Sequence, residues 1–398
     1  MERVRTVFLM VSVAALLSAC ASRAPVPELT YDDALLDGTA AFGYTVPAAE
    51  PIDVLALSPE MEEFLTPEMR EGKLTYSRFY RLMKGLSKGD YFNNNYRVDG
   101  TFSAAETFAA RKGNCLGYTN MLIALAREAG IDAEYQLVES NPVWNVQAGY
   151  LVRSNHINVL IKGLSRPGMG DTEITVDFNL VGPDPAMSTA RIISDAHALS
   201  LFHANIAVDE MHAGNFERAF AETKTAALLA PHNNVVWNNL AVLYSRMGKP
   251  EVAEQVYRVA LQLNPDDMTA WAGLVVVLHA QGRQDEAKQY EARVAKYQQN
   301  NPVFHYAMAQ DAFSTSNYDA AMNSIDNAIA LDRKDPRFHT LRAATAKELG
   351  DEQLVALSLK RAAKYAKQKE RAQGMSRAQR TARSGTQILG QTQTPIRF

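Results

Sequence analysis

The strongest constraint on the fold is a period of 34 residues in the second half of the chain. Glycine recurs at one position of this period, at Gly214, Gly248, Gly282 and Gly350, and Ser316 stands where one more glycine is due. Alanine recurs five residues after each of the first four of these positions, at Ala219, Ala253, Ala287 and Ala321. Such self-similarity is typical of a solenoid, whose units bury their apolar faces only against their neighbours.

The repeat also has tryptophan at Trp237 and Trp271, and proline at Pro231 and Pro265. With the small residues, this pattern resembles the tetratricopeptide repeat, a helix-turn-helix of the same length. Small residues lie where two helices cross, glycine lies in the turn, and proline ends the second helix. We predict an all-α array of about five units over residues 200–369. The resemblance implies a concave groove for a protein partner, with the tryptophans as packing residues; the ligand of the groove stays open.

Composition limits what the rest of the chain can do. A length of 398 residues suggests two or three domains. The net charge of −3 argues against nucleic acid as the main partner. Residues 370–398 are rich in Arg, Gln, Thr and Ser and lack an apolar period, so we predict a disordered basic tail.

The first residues have the pattern of an export signal. Arg3 and Arg5 precede a short apolar run, and Leu17-Ser18-Ala19-Cys20 resembles the lipobox of bacterial lipoproteins. The resemblance implies that residues 1–19 are removed and that Cys20 is acylated, which anchors the chain to a membrane. The residue after Cys20 is Ala21 and not an aspartate. By resemblance to the sorting of bacterial lipoproteins, this favours the outer membrane, facing the periplasm. An ordinary signal peptide with a coincidental cysteine is the alternative. Residues 20–51, rich in Ala and Pro, are predicted to be a tether.

Cys115 is the only other cysteine, so acylation of Cys20 leaves it without a disulfide partner. Gly113 and Asn114 precede it, and an apolar run of helical period follows as far as Gly130. This pattern predicts a helix that begins at or just before Cys115. A thiol at a helix start is close to unpaired N–H groups and the positive end of the helix dipole, and both favour the thiolate. A cysteine buried only for packing is the alternative.

Two predicted strands follow this helix and carry a histidine and an aspartate. His156 begins an alternating segment, and Asp177 lies near the end of the next one. A cysteine nucleophile needs a base, and the base needs a third group that orients it. If the two strands are antiparallel neighbours, His156 and Asp177 can meet across them and Cys115 can reach the imidazole. Each residue could instead be structural.

These residues resemble the transglutaminase-like superfamily, whose chemistry is similar to that of papain. The resemblance lies in Arg-Lys-Gly-Asn-Cys over residues 111–115, in the helix that ends at Ile131, and in the His156 and Asp177 strands. It implies an α+β domain, predicted over residues 52–195, with Cys115 as nucleophile, His156 as base and Asp177 as orienting acid. The family often has Trp after the His and before the Asp, where this chain has Ile157 and Val176. No cofactor or metal is expected, and the calcium sites of the family have no visible counterpart.

Two functions follow from this organisation. In the first, the chain is a lipid-anchored periplasmic cysteine enzyme that transfers an acyl group from a protein or peptide amide to water or to an amine, and the array binds a protein. In the second, the triad has lost turnover and the chain is an adaptor for an envelope assembly. Labelling by a thiol-directed electrophile distinguishes the two.

Overall fold

The computed structural model describes residues 29–50, 52–92, 100–147, 150–166, 169–178 and 189–384. An α+β domain is followed by an all-α array, as the sequence predicts. A short segment precedes the domain and contains a 3-10 helix and helix α1 (Asp33–Leu36 and Thr39–Phe42). Within the described residues, no helix is both long enough and apolar enough to cross a bilayer.

The α+β domain contains helices α2 (Pro59–Phe64), α3 (Pro67–Arg70), α4 (Thr75–Lys88), α5 (Ala104–Ala110) and α6 (Cys115–Glu128). Its strands are β1 (Ala133–Gln147), β2 (Tyr150–Arg166), β3 (Met169–Val176) and β4 (Thr189–Ile193). The sheet has the order β3-β2-β1-β4, with antiparallel pairing throughout. Helix α6 packs against β1 and β2, and it is buried from Leu116 to Ala126 because apolar residues occupy most of its surface.

The strands differ from the prediction in length and number. Strands β1 and β2 pair from Ala133 with Ile161 to Val138 with His156, and the pairing resumes after a shift between Val138 and Val143. Backbone pairing in a hairpin does not require alternating side chains, so β2 begins at Tyr150, before the alternating segment at His156. Strand β4 was not predicted, and it pairs with β1 through Tyr135 and Ile193.

The array consists of five helix pairs within the described residues. The helices are α7 (Asp195–His212), α8 (Phe216–Leu229), α9 (Asn234–Arg246), α10 (Pro250–Leu263), α11 (Met268–Ala280), α12 (Gln284–Gln299), α13 (Pro302–Ser314), α14 (Tyr318–Leu331), α15 (Pro336–Glu348) and α16 (Glu352–Ser384). The small residues that define the period lie in the turn inside each pair. All have positive φ: Gly214, Gly248, Gly282, Ser316 and Gly350. The period thus marks the left-handed position that ends the first helix of each unit.

The α+β domain and the array are joined by a shared helix. Ala198 and Phe202 of α7 belong to the core of the α+β domain, whereas Ala204 and Met211 of the same helix belong to the core of the first array units. Helix α7 begins at Asp195, earlier than the predicted start of the array at residue 200. Contacts also join β1 to α13 and β2 to α11.

Both predicted connecting segments contain more structure than expected. Residues 29–50, predicted as part of a tether, are folded, and Leu35, Leu36 and Val46 are buried in the core of the first array units. These few apolar residues have no period, and they become ordered only because the array offers them a surface. Helix α16 continues to Ser384, past the predicted start of disorder at residue 370. Its Ala, Lys, Gln and Arg content favours helix.

Candidate active site

Cys115 is the first residue of α6, and local contacts fix that helix start. Asn114 is the N-cap, and its side chain accepts a hydrogen bond of 2.9 Å from the N–H of Gly117. The preceding helix α5 begins with a capping box of Ser103 and Glu106. It ends at Arg111, whose φ of 50° reverses the chain toward Cys115. The thiol is partly exposed, so a reactant can reach it.

Gly117 allows α5 and α6 to approach each other closely. A Cβ atom at this position would lie 2.8 Å from the hydroxyl oxygen of Thr107, which is fully buried in α5. Any larger residue would push the first turn of α6 away from α5. The position of the sulfur therefore depends on a helix contact as well as on the cap.

His156 and Asp177 meet through neighbouring antiparallel strands. Nε2 of His156 lies 2.7 Å and 2.8 Å from the two carboxylate oxygens of Asp177. His156 is buried on β2, and Asp177 follows the last residue of β3. Cys115 is the other side chain that acts on the charge of the imidazole. Because Asp177 occupies Nε2, Nδ1 is the ring nitrogen left for a second partner.

The surroundings of His156 favour its charged form. Burial on its own would lower the pKa of the imidazole, but the interactions with Asp177 and Cys115 outweigh burial and raise the pKa to about 9. A positive charge next to a cysteine favours the nucleophilic form of a thiol in general. The geometry therefore fits an imidazole that a carboxylate holds in place beside a cysteine.

Asn158 is a further partner of the aspartate. Its Nδ2 donates a 3.2 Å hydrogen bond to Oδ2 of Asp177, and the residue is only 2% exposed. Val159 of β2 pairs with Val176 of β3. Because the strands are antiparallel, Asn158, one residue before Val159, lies opposite Asp177, one residue after Val176. Asp177 thus has hydrogen-bond donors on two residues of β2, which restricts its rotation.

An aromatic cluster adjoins the site. Phe178 follows Asp177 directly and stacks on Tyr118 of α6 and on Phe92, with ring centroids 5.6 Å and 5.4 Å apart. Tyr118 lies one turn after Cys115 on α6. These rings join the helix with the candidate nucleophile to the chain segment with the candidate acid.

The structure thus brings together Cys115, His156 and Asp177, the three residues that the sequence analysis placed in one site. Cys20 lies outside the described residues. Sequence reasoning missed Asn158 and Phe178, although the position of Asn158 two residues after His156 on a strand puts both on one face. Among the described residues, no group of three or more His, Cys, Asp or Glu side chains could hold a metal ion.

Comparison with family models gives two matches. The model of the transglutaminase-like superfamily matches residues 64–151, and the tetratricopeptide repeat model matches residues 210–275 and 246–310. The first match includes Cys115 and ends before His156 and Asp177. The chain therefore combines a transglutaminase-like domain with tetratricopeptide repeats, a module for protein interaction. The superfamily suggests cysteine hydrolase or transferase activity.

Similar solved structures are tetratricopeptide proteins. MamA from Desulfovibrio magneticus RS-1 is 15% identical, with a TM-score of 0.25, and the match covers 44% of this chain and 97% of that one. YrrB, described as a tetratricopeptide protein with an unusual peptide-binding site, is 16% identical with a TM-score of 0.24, over 42% and 86% of the two chains. A search of curated proteins found no match.

Proposed function

We propose that this protein is a cysteine acyl-transfer enzyme of the bacterial cell envelope, anchored by lipid at Cys20 to the outer membrane and facing the periplasm. Its substrate is a protein or peptide amide, and its array binds a protein partner. The observation that carries the activity is the hydrogen bond between His156 and Asp177, together with the effect of Cys115, at the start of α6, on the charge of the same imidazole. The apolar run before Cys20 supports the anchor.

In the proposed first half of the reaction, Cys115 forms a thioester with the substrate. The thiolate of Cys115 attacks the amide carbonyl carbon, and the resulting tetrahedral oxyanion accepts a hydrogen bond from the free N–H of Cys115 in the first turn of α6. His156 donates its proton to the leaving nitrogen, the C–N bond breaks, and a thioester on Cys115 remains. Asp177 holds the imidazole throughout and stabilises its positive charge.

In the second half, a nucleophile attacks the thioester carbon. His156, now neutral, removes a proton from water or from an amine, and the C–S bond breaks to regenerate the thiolate. Water would give hydrolysis, and a lysine-type amine would give transamidation.

The test is to trap the acyl-enzyme. Purified protein is mixed with periplasmic extract, quenched in acid and analysed by intact mass, with Cys115→Ala as control. We expect a mass increase that depends on Cys115 and that hydroxylamine, which cleaves thioesters, removes. If no adduct forms, and if an electrophile labels Cys115 at about pH 6 no faster than an ordinary thiol, the enzyme proposal fails and the adaptor function stands.

A further inference from the structure

The folded N-terminal segment, residues 29–50, is fastened to helix α8. The N–H of Ala49 donates to the carbonyl of Ala221 at 3.2 Å, and the hydroxyl of Thr225 donates to the carbonyl of Ala49 at 2.9 Å. The amine of Lys224 donates to the carbonyl of Val46 at 2.8 Å. Ala221, Lys224 and Thr225 lie on one face of α8, so this face is bound along one full turn.

The same segment is fastened to helix α9. Tyr31 packs on Trp237 with ring centroids 4.6 Å apart, and the hydroxyl of Tyr244 donates to the carbonyl of Leu35 at 2.9 Å. Trp237 and Tyr244 are fully buried. The segment therefore behaves as part of the array and not as a loose leader, and removing it would expose two large aromatic side chains.

The contact with the array leaves little chain between the lipid and the folded body. Nine residue steps separate Cys20 from Leu29, the first described residue. At no more than ~3.6 Å per residue, they span at most about 30 Å in any conformation. An acylated Cys20 lies at the membrane surface, so the faces of α8 and α9 that hold the segment must lie close to that surface.

We propose that the lipid anchor holds this molecule by its array, with the α8–α9 end as the membrane-proximal part and the later units farther from the phospholipid surface. The proposal rests on the lipid anchor proposed above and is independent of the enzymatic activity. In most tethered proteins a long linker leaves orientation free, whereas here the segment that would serve as the linker is folded onto the array.

Energy transfer from the protein to lipid headgroups tests this orientation. The lipidated protein with Cys115→Ser is reconstituted in phosphatidylethanolamine–phosphatidylglycerol vesicles that contain a headgroup-labelled acceptor. A donor dye is attached to a cysteine at one of three comparably exposed positions, through Leu228→Cys in α8, Val276→Cys in α11 or Leu359→Cys in α16. A second set carries a Gly/Ser insertion of about 30 residues between Pro25 and Val26, which lengthens the tether by roughly 30 Å on average.

We expect transfer to decrease from α8 to α16, by about twofold or more, since the tether keeps only the first units within about 30 Å of the lipid. The insertion should remove most of this difference. Equal transfer at all three positions, stronger transfer at α16, or no response to the insertion would overturn the proposed orientation. Flotation with a Cys20→Ser control is measured in parallel. Lipidated protein that fails to float would overturn the anchor itself and with it the orientation, without bearing on the activity of Cys115.

Discussion

The α+β domain and the array each contain a buried histidine paired with a carboxylate, and the two pairs have the same histidine–carboxylate distance. In the α+β domain, His156 lies 2.7 Å from the nearer oxygen of Asp177. In the array, Nδ1 of His203 lies 2.7 Å from an oxygen of Glu222, across helices α7 and α8. Both histidines are buried. Hydrogen-bond distance and burial therefore do not separate a candidate catalytic base from a packing residue.

What separates the two pairs is the group on the other side of each ring. The ring of His156 is influenced by a partly exposed cysteine, which is a candidate reactive group. Among the described residues, Nε2 of His203 is buried and has no hydrogen-bond partner. The pair in the array joins two helices. A candidate catalytic site is therefore recognised by the side chain on the other side of the imidazole and by the access of that side chain to solvent.

The sharpest test replaces each histidine. We expect His156→Ala to slow alkylation of Cys115 by iodoacetamide by about 100-fold at pH ~6, because the neighbouring positive charge that favours the thiolate is lost. His203→Ala should leave this rate within about twofold while lowering the free energy of unfolding by ~1–3 kcal/mol, because Glu222 stays buried without its partner. Rates are compared only where circular dichroism shows folded protein. Similar rate losses in both variants would remove the distinction between the pairs.

A smaller effect is expected when the carboxylates are made neutral. Because the pKa of His156 is raised to about 9, its protonation stabilises the fold fully below about pH 6.5, and this contribution is lost as the pH rises through about 9. Asp177→Asn should move the pKa of His156 at least ~1 unit toward 6.5 and slow alkylation about tenfold near pH 7.5. The loss of stability should be largest below about pH 6.5.

The titration of His156 is followed by NMR, and alkylation and unfolding are measured across the same pH range. Glu222→Gln is the matched control in the array. It should lower stability by ~1–3 kcal/mol and leave the alkylation of Cys115 unchanged. If Asp177→Asn leaves the titration of His156 unchanged, the aspartate does not hold the imidazole, and the role of orienting acid assigned to Asp177 is wrong.

The half of the site that contains Cys115 could be predicted because its determinants are local. A capping box at Ser103, a cap at Asn114 and an apolar period after Cys115 lie within a few residues of the helix starts that they define. The array could be predicted for a related reason, since its period repeats the same local signals. In both regions, the residues that determine a helix start or a turn lie within a few positions of it in the sequence.

The rest depends on pairing between distant residues. Asn158 faces Asp177 only because of the register between β2 and β3, and one residue of slip would separate them. Strand β4 lacks clear alternation and exists because the edge of β1 is available for pairing. The N-terminal segment has no apolar period, and its contacts with α8 and with Trp237 and Tyr244 of α9 give it order.

The smallest expected effect concerns Asn158, and the array again supplies a matched residue. Nδ2 of Asn238 donates a 2.7 Å hydrogen bond to Asp267, and its Oδ1 is buried without a hydrogen-bond partner, as is that of Asn158. Leucine at either position keeps the branching and the number of side-chain heavy atoms and removes the hydrogen bond. Each variant should lose ~1.5–3 kcal/mol of stability, because an asparagine that donates to a carboxylate makes a charge-assisted bond.

Only Asn158→Leu should also change the chemistry. Without this donor, Asp177 can rotate away from the imidazole. We therefore expect alkylation of Cys115 to slow by about threefold near pH 6. Near pH 9 we expect little change, because an ordinary thiol is largely ionised there without help from a histidine. Asn238→Leu should change neither rate. Asn158 supports only the fold if both variants lose only stability, or if Asn158→Leu slows alkylation equally at both pH values. The functional difference between the α+β domain and the array would then lie in the two histidine–carboxylate pairs alone.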